Sequence, residues 1–173
     1  MPSLQSSDFE LFGVSQSFFQ SADTLSQHWK ALQLQAHPDK FAAQGGLAQR
    51  LAMQWSVRIN EGYERLKNPL KRAAYLCELQ GEPIDAQTNT AMPSAFLVQQ
   101  MEWRESLDEA KSLEDLEKIF LGTKSVEREQ LTKIEHAIDT SHDFKAAAQE
   151  VRCLMFIERF ANEVDARIDQ MQA

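Results

Sequence analysis

The sequence predicts an all-α protein of two helical units, 173 residues long. Three observations carry that expectation. Apolar residues recur three or four positions apart over most of the chain, as one face of an α-helix requires. No convincing run alternates apolar and polar residues between turn formers, so no sheet is expected. Residues 81–94, "GEPIDAQTNTAMPS", hold two prolines and several turn formers without periodicity, and so mark a connector.

The elements follow in chain order. Leu25, Trp29, Leu32 and Ala36 repeat as a helix face, with Ser21 or Asp23 available as N-cap. From Leu47 onward the apolar positions are Leu51, Trp55, Ile59, Tyr63 and Leu66. That helix should stop at Asn68-Pro69, because proline disfavours helical geometry in the residue before it and cannot donate to the preceding turn. A shorter helix, "LKRAAYLCELQ", then runs to Gly81, a suitable C-terminal cap. Beyond the connector, Ser94 is expected to cap a helix to about Ala110 whose core stripe is Phe96, Trp103, Leu107 and Ala110. Ser112 caps another, with Leu113, Leu116, Ile119 and Phe120, continuing past Gly122 through Leu131, Ile134 and Ile138. The last follows Asp143 and carries Val151, Leu154, Ile157, Ala161, Val164 and Ile168. Three helices with short connections favour an antiparallel bundle. The predicted division is residues 1–80, a connector at 81–93, and a three-helix unit at 94–173.

Composition narrows the function classes. The net charge of −8 argues against non-specific nucleic-acid binding, which depends on many Lys and Arg contacts to phosphate. Residues 1–80 hold eight basic against seven acidic side chains, +1, leaving ten against nineteen, −9, for residues 81–173. Two halves with such different surfaces point to two different partners. Apolar runs are short and broken by charge, and "MPSLQSSDFE" lacks the basic start and apolar block of a secretory signal, so a cytoplasmic protein without a membrane span is expected. Cys77 and Cys153 form no C-x-x-C pair and read as buried, reduced thiols. His136 and His142 lack ligands at metal spacing and read as surface histidines, so neither a metal nor a cofactor is expected.

Between the first two helices stands "LQAHPDKFAAQGG". Pro38 forces His37 out of helical geometry, so His37, Pro38 and Asp39 should form an exposed corner suited to contact rather than packing. An enzyme using His37 and Asp39 as base and acid is disfavoured, since an exposed turn offers no water-excluding pocket, no nucleophile and no group to orient the histidine.

In the acidic half, helical geometry at about 100° per residue puts Leu97, Val98 and Met101 on the side of their helix away from Trp103 and Leu107, beside Glu102, Glu105 and Glu109. An apolar patch ringed by carboxylates and facing away from its own core reads as a protein-docking surface, unless a third helix covers it. Phe156 lies off the stripe of the last helix in the same manner.

The tripeptide, Trp29 and Leu32 before it, Lys40 and Phe41 after it, the Gly45-Gly46 loop and the helix ending "RLKNPLKRAAYL" together resemble a J domain. "DFELFGV", "HPDKF", "NPLKRAAYLCEL" and "AFLVQQMEWRESLDEA" extend the resemblance over nearly the whole chain to the HscB-type (Hsc20) family of co-chaperones of iron-sulfur cluster biogenesis. The resemblance implies an N-terminal J domain joined to a C-terminal three-helix bundle in an L-like arrangement. It implies that His37, Pro38 and Asp39, with Lys40 and Lys30, engage the DnaK-class chaperone HscA and stimulate its ATPase, the co-chaperone doing no chemistry itself. Leu97, Val98, Met101, Glu102, Glu105, Glu109 and Phe156 align with the positions that bind the iron-sulfur scaffold IscU. The sequence departs from many J domains in carrying Ala36, not an aromatic residue, before His37, and few basic residues on the preceding helix. A general co-chaperone of DnaK is the alternative, but it would carry Gly/Phe-rich or zinc-binding segments where this chain has an acidic helical unit.

Overall fold

In a computed structural model that describes residues 2–85 and 92–173, all regular structure among the described residues is helical. The chain divides into two compact units, Met1–Leu76 and Cys77–Ala173. Most of the expected connector, residues 86–91, lies outside the described residues.

The N-terminal unit is built on an antiparallel pair, α2 (Ala22–Ala36) and α3 (Gly46–Lys67), flanked by α1 (Asp8–Phe12) and by α4 (Pro69–Leu79), whose last turn belongs to the second unit. Ser21 caps α2 by accepting from the Thr24 N–H at 3.2 Å. Asn68 ends α3 in extended geometry, and its side chain accepts from the Lys71 N–H at 3.0 Å to open α4. Gly81, at φ +79°, closes α4 with reciprocal bonds from its own N–H to Glu78 and from the Glu82 N–H to Cys77, the turn that a residue without a Cβ adopts at least cost.

The α2–α3 seam is part aromatic and part polar. Tyr63 lies between Phe12 and Trp29, with ring centroids 6.4 and 4.9 Å away. The Trp29 indole N–H and the Gln33 amide both donate to Asn60 Oδ1, at 2.9 and 2.6 Å, while the Ser56 hydroxyl donates to Gln33 Oε1 at 2.9 Å. Leu25, Ala52, Ile59 and Leu66 fill the interior. Leu47 and Leu51, expected on the buried face of α3, are exposed. α3 has 22 residues against 15 in α2, so its first turn, with Leu47, runs past the point where Pro38 stops the helix opposite, while Leu51 lines an open groove with Leu32, Ala36 and Phe41.

Packed on that seam is a buried ion cluster. The Asp8 carboxylate, wholly shielded from solvent, accepts from Arg58 Nη1 at 2.7 Å and from Arg65 Nε and Nη2 at 2.5 and 3.2 Å. The Asp8 N–H donates to the Tyr75 hydroxyl at 3.1 Å, and Ser7 caps α1. Gly62 makes the approach possible, since a Cβ there would stand 3.1 Å from the Phe12 ring and 3.3 Å from Asp8 Oδ1.

The second unit is a three-helix bundle of α5 (Ser94–Glu109), α6 (Leu113–Glu135) and α7 (Phe144–Gln172). Ser112 and Asp115 form a reciprocal capping box at the start of α6, and Asp143 caps α7. Ser94 is the first residue of α5, not its cap; that position falls to Pro93, which leaves α5 without a side-chain cap bond. The α6–α7 hairpin buries Ile134, Ile138, Val151, Leu154 and Ile157. It is also pinned by the buried Gln130, whose amide donates to the Glu150 carbonyl at 2.8 Å and to the Glu150 carboxylate. Cys77 and Cys153 are free buried thiols, and burial pushes both up to a pKa of about 11, which keeps them protonated and unreactive.

Helix α5 joins the bundle through one end. Leu107, Leu116, Phe160 and Val164 form a buried cluster, with Trp103, Ala110, Ile119, Phe120 and Ile168 packed around it. The Trp103 ring stacks on Phe160 at 5.2 Å. Phe96, the first residue of the expected stripe, is half-buried and outside that cluster. Trp103→Ala is therefore expected to cost about 3 kcal/mol, the low end of the range for large aromatic truncations because one side of the indole is open to solvent. Urea unfolding followed by far-UV circular dichroism checks this, and an unchanged midpoint would mean that α5 is not held through this ring.

Candidate functional site

Two exposed constellations stand out, one in each unit. In the first, α2 ends at Ala36 because His37 takes φ −60° and ψ 128° ahead of the proline. Residues Pro38–Gln44 then form a 3₁₀ run, and Gly45, at φ +99°, turns the chain into α3. His37 Nδ1 accepts from the Asp39 N–H at 3.3 Å and lies 3.7 Å from Asp39 Oδ2. An accepting Nδ1 leaves the proton of the neutral ring on Nε2, so the imidazole keeps a donor for a partner. The side chains are 56% and 89% exposed, which leaves both free to be read from outside. Lys40 is exposed at the start of the 3₁₀ run, and exposed Lys30 stands two helical turns before His37, about 10 Å along α2. The corner is fixed by backbone rules and by the Gln33–Asn60–Ser56 bonds one turn back.

The second constellation lies on α5 and α7. Leu97, Val98 and Met101 are 46%, 53% and 72% exposed, so no helix of this unit covers them. Val98, Glu102, Glu105 and Glu109 follow one another at helical spacing along α5, the three glutamates exposed. Phe156, half-buried on α7, meets Leu97 and Met101 across a groove of about 560 Å³, with Trp103 and Phe160 further along it. Of the residues expected to face the scaffold, Leu97, Met101 and Phe156 thus line one groove, while Val98, Glu102, Glu105 and Glu109 lie outside it.

Sequence reasoning missed the rest of that groove. Phe160, one turn after Phe156, forms its floor beside Trp103; the i, i+4 aromatic spacing was the available signal. Arg104 pairs with Glu163 at 2.6 Å, and the Arg159 guanidinium lies 5.3 Å over the Phe156 ring. Nothing in a single sequence announces those two contacts, since each depends on where α5 meets α7. Likewise nothing local joins Asp8 to Arg58 and Arg65, although the two arginines lie seven residues apart on one face of α3.

Among the described residues, no group of three or more His, Cys, Asp or Glu side chains could hold a metal ion, and no helix is long and apolar enough to cross a membrane.

Comparison with known proteins brings both constellations under one family. Residues 92–165 match the family model described as the HSCB C-terminal oligomerisation domain. The chain is 44% identical to the co-chaperone protein HscB homolog of Burkholderia multivorans and 42% identical to that of Paraburkholderia xenovorans, with 99% of each chain covered in both cases. Among solved structures it resembles chaperone HscB from Vibrio cholerae, at 34% identity and a TM-score of 0.81 over 96% of this chain and 99% of that one. It also resembles human co-chaperone protein HscB, at 26% identity and a TM-score of 0.85 over 99% and 84%. With full-length identity above 40% and both helical units matched, the chain belongs to the HscB family of co-chaperones.

Proposed function

We propose that this protein bridges two others in iron-sulfur cluster assembly: its J domain engages the DnaK-class chaperone HscA and stimulates ATP hydrolysis, while its C-terminal unit holds the scaffold protein IscU. It acts in the cytoplasm and carries out no bond chemistry of its own. His37, Pro38 and Asp39 make the chaperone contact. Lys30 and Lys40 add charge complementarity of about 0.2–1 kcal/mol each at an exposed rim. Leu97, Val98, Met101 and Phe156 anchor the scaffold, with Glu102, Glu105 and Glu109 selecting for basic groups around the anchor.

The observation that carries this reading is the open apolar patch on α5. A helix that already buries Leu107 and half of Trp103 on its own side leaves three large apolar residues exposed within two turns, and exposure of that kind is costly to keep unless a partner covers it. Changing Leu97, Val98 and Met101 together to Ser is expected to keep the helical signal and weaken scaffold binding by several kcal/mol, since buried apolar anchors dominate such interfaces. Basal stimulation of the chaperone ATPase should survive. The extra stimulation seen when scaffold and co-chaperone are added together should vanish, because it comes from tethering the scaffold to the chaperone at high effective concentration. Calorimetric titration with the scaffold and steady-state ATPase assays test both halves; unchanged affinity would locate recognition elsewhere.

A further inference from the structure

One polar group in the groove is unaccounted for. Gln100 sits on α5 between Leu97 and Met101 and contributes to the groove wall. Its side-chain Nε2 is shielded from solvent and has no hydrogen-bond partner, the one such buried side-chain atom among the described residues. An amide N–H hidden from water without an acceptor costs the free protein stability, and such groups are rare in folded proteins. A methionine would fill the same space without that cost.

We propose that Gln100 is a specificity residue of this groove, its amide donating to a backbone carbonyl of the docked scaffold segment. This rests on the scaffold-docking reading above and adds to it the chemistry of the occupant. The terminal torsion of glutamine is soft, so a small rotation turns the amide from the wall into the groove. The acceptor is a neutral carbonyl: Arg104 and Arg159, the charged side chains lining the groove, would draw a partner carboxylate to themselves, whereas a neutral carbonyl is left to the neutral amide. The occupant is thus an extended segment whose apolar side chain seats against Leu97, Met101 and Phe156, with basic residues beside it to match the glutamates. An apolar anchor alone binds without direction; a hydrogen bond at its base sets the register and penalises segments that cannot supply the carbonyl.

The test uses the full-length chain and the IscU scaffold, with two readouts. Gln100→Met keeps length and bulk but removes the donor. Its melting temperature should equal or exceed that of wild type, while its affinity for the scaffold falls roughly tenfold. Gln100→Glu, which replaces the donor with an acceptor, should bind at least as poorly. Wild-type affinity in Gln100→Met would overturn the assignment, and so would a lower melting temperature, which would make the amide a structural group. The Leu97, Val98 and Met101 triple variant separates the two levels: if it too binds like wild type, the docking surface itself is wrong, whereas if it binds weakly and Gln100→Met does not, only the hydrogen bond is.

Discussion

Asp8→Ala is expected to destabilise the N-terminal unit by about 3–5 kcal/mol, the cost of removing one partner from a buried ion pair and leaving the other charge uncompensated. Asp8 is the common acceptor for Arg58 and Arg65, and it ties α1 to α3 while its N–H reaches Tyr75 on α4. Arg58, with its side chain 14% exposed, would retain its bonds to the Leu4 and Ser6 carbonyls but lose the Asp8 carboxylate. Against a typical total stability of about 5–15 kcal/mol, such a loss populates the unfolded unit at physiological temperature. Urea unfolding in a Trp103→Phe background, followed by fluorescence of the remaining Trp29 and Trp55, reports on this unit and by circular dichroism on the whole chain, so a separate transition of the C-terminal unit would remain visible. A midpoint equivalent to less than about 0.5 kcal/mol of change would show the cluster to be no more than a surface ion pair.

His37→Gln, by contrast, should remove stimulation of the chaperone ATPase altogether while leaving the melting temperature nearly unaltered, because exposed substitutions usually stay within about 0.5 kcal/mol. The histidine side chain accepts a hydrogen bond from the Asp39 N–H at 3.3 Å, which a glutamine side chain can replace or water can take over. Asp39→Asn should behave alike, since its carboxylate is almost fully exposed. Single-turnover hydrolysis measured with and without each variant separates the outcomes: stimulation at the wild-type level by either one rules out the tripeptide as the chaperone contact. The pair of predictions is informative together, because Asp8→Ala loses activity through the fold and His37→Gln loses it with the fold intact.

What could be read from the chain followed from how local each rule is. Pro38 and Pro69 end helices within one residue, so the corner at His37 and the break at Asn68 were legible from dipeptides. Ser21, Ser112 and Asp143 act within three residues of themselves and cap where expected. The outward face of α5 needed only helical periodicity, and Leu97, Val98 and Met101 are exposed as that periodicity required. Ser94 failed as a cap because Pro93 took the position before it, a competition between neighbours that residue preference alone does not resolve.

By itself, then, the sequence determined the helices, their ends, the exposed tripeptide and the unpartnered apolar side of α5, all properties of a few adjacent residues. Tertiary structure alone decided that Asp8 is a buried hub, since its arginine partners stand 50 and 57 positions away. It also decided that Leu47 and Leu51 are left exposed at the open end of the α2–α3 pair, and that Phe156, Phe160 and Arg159 complete a groove whose other wall is α5. Burial and pairing depend on which surfaces meet, and the meeting of two helices is set by the summed packing of many side chains rather than by the periodicity of either one.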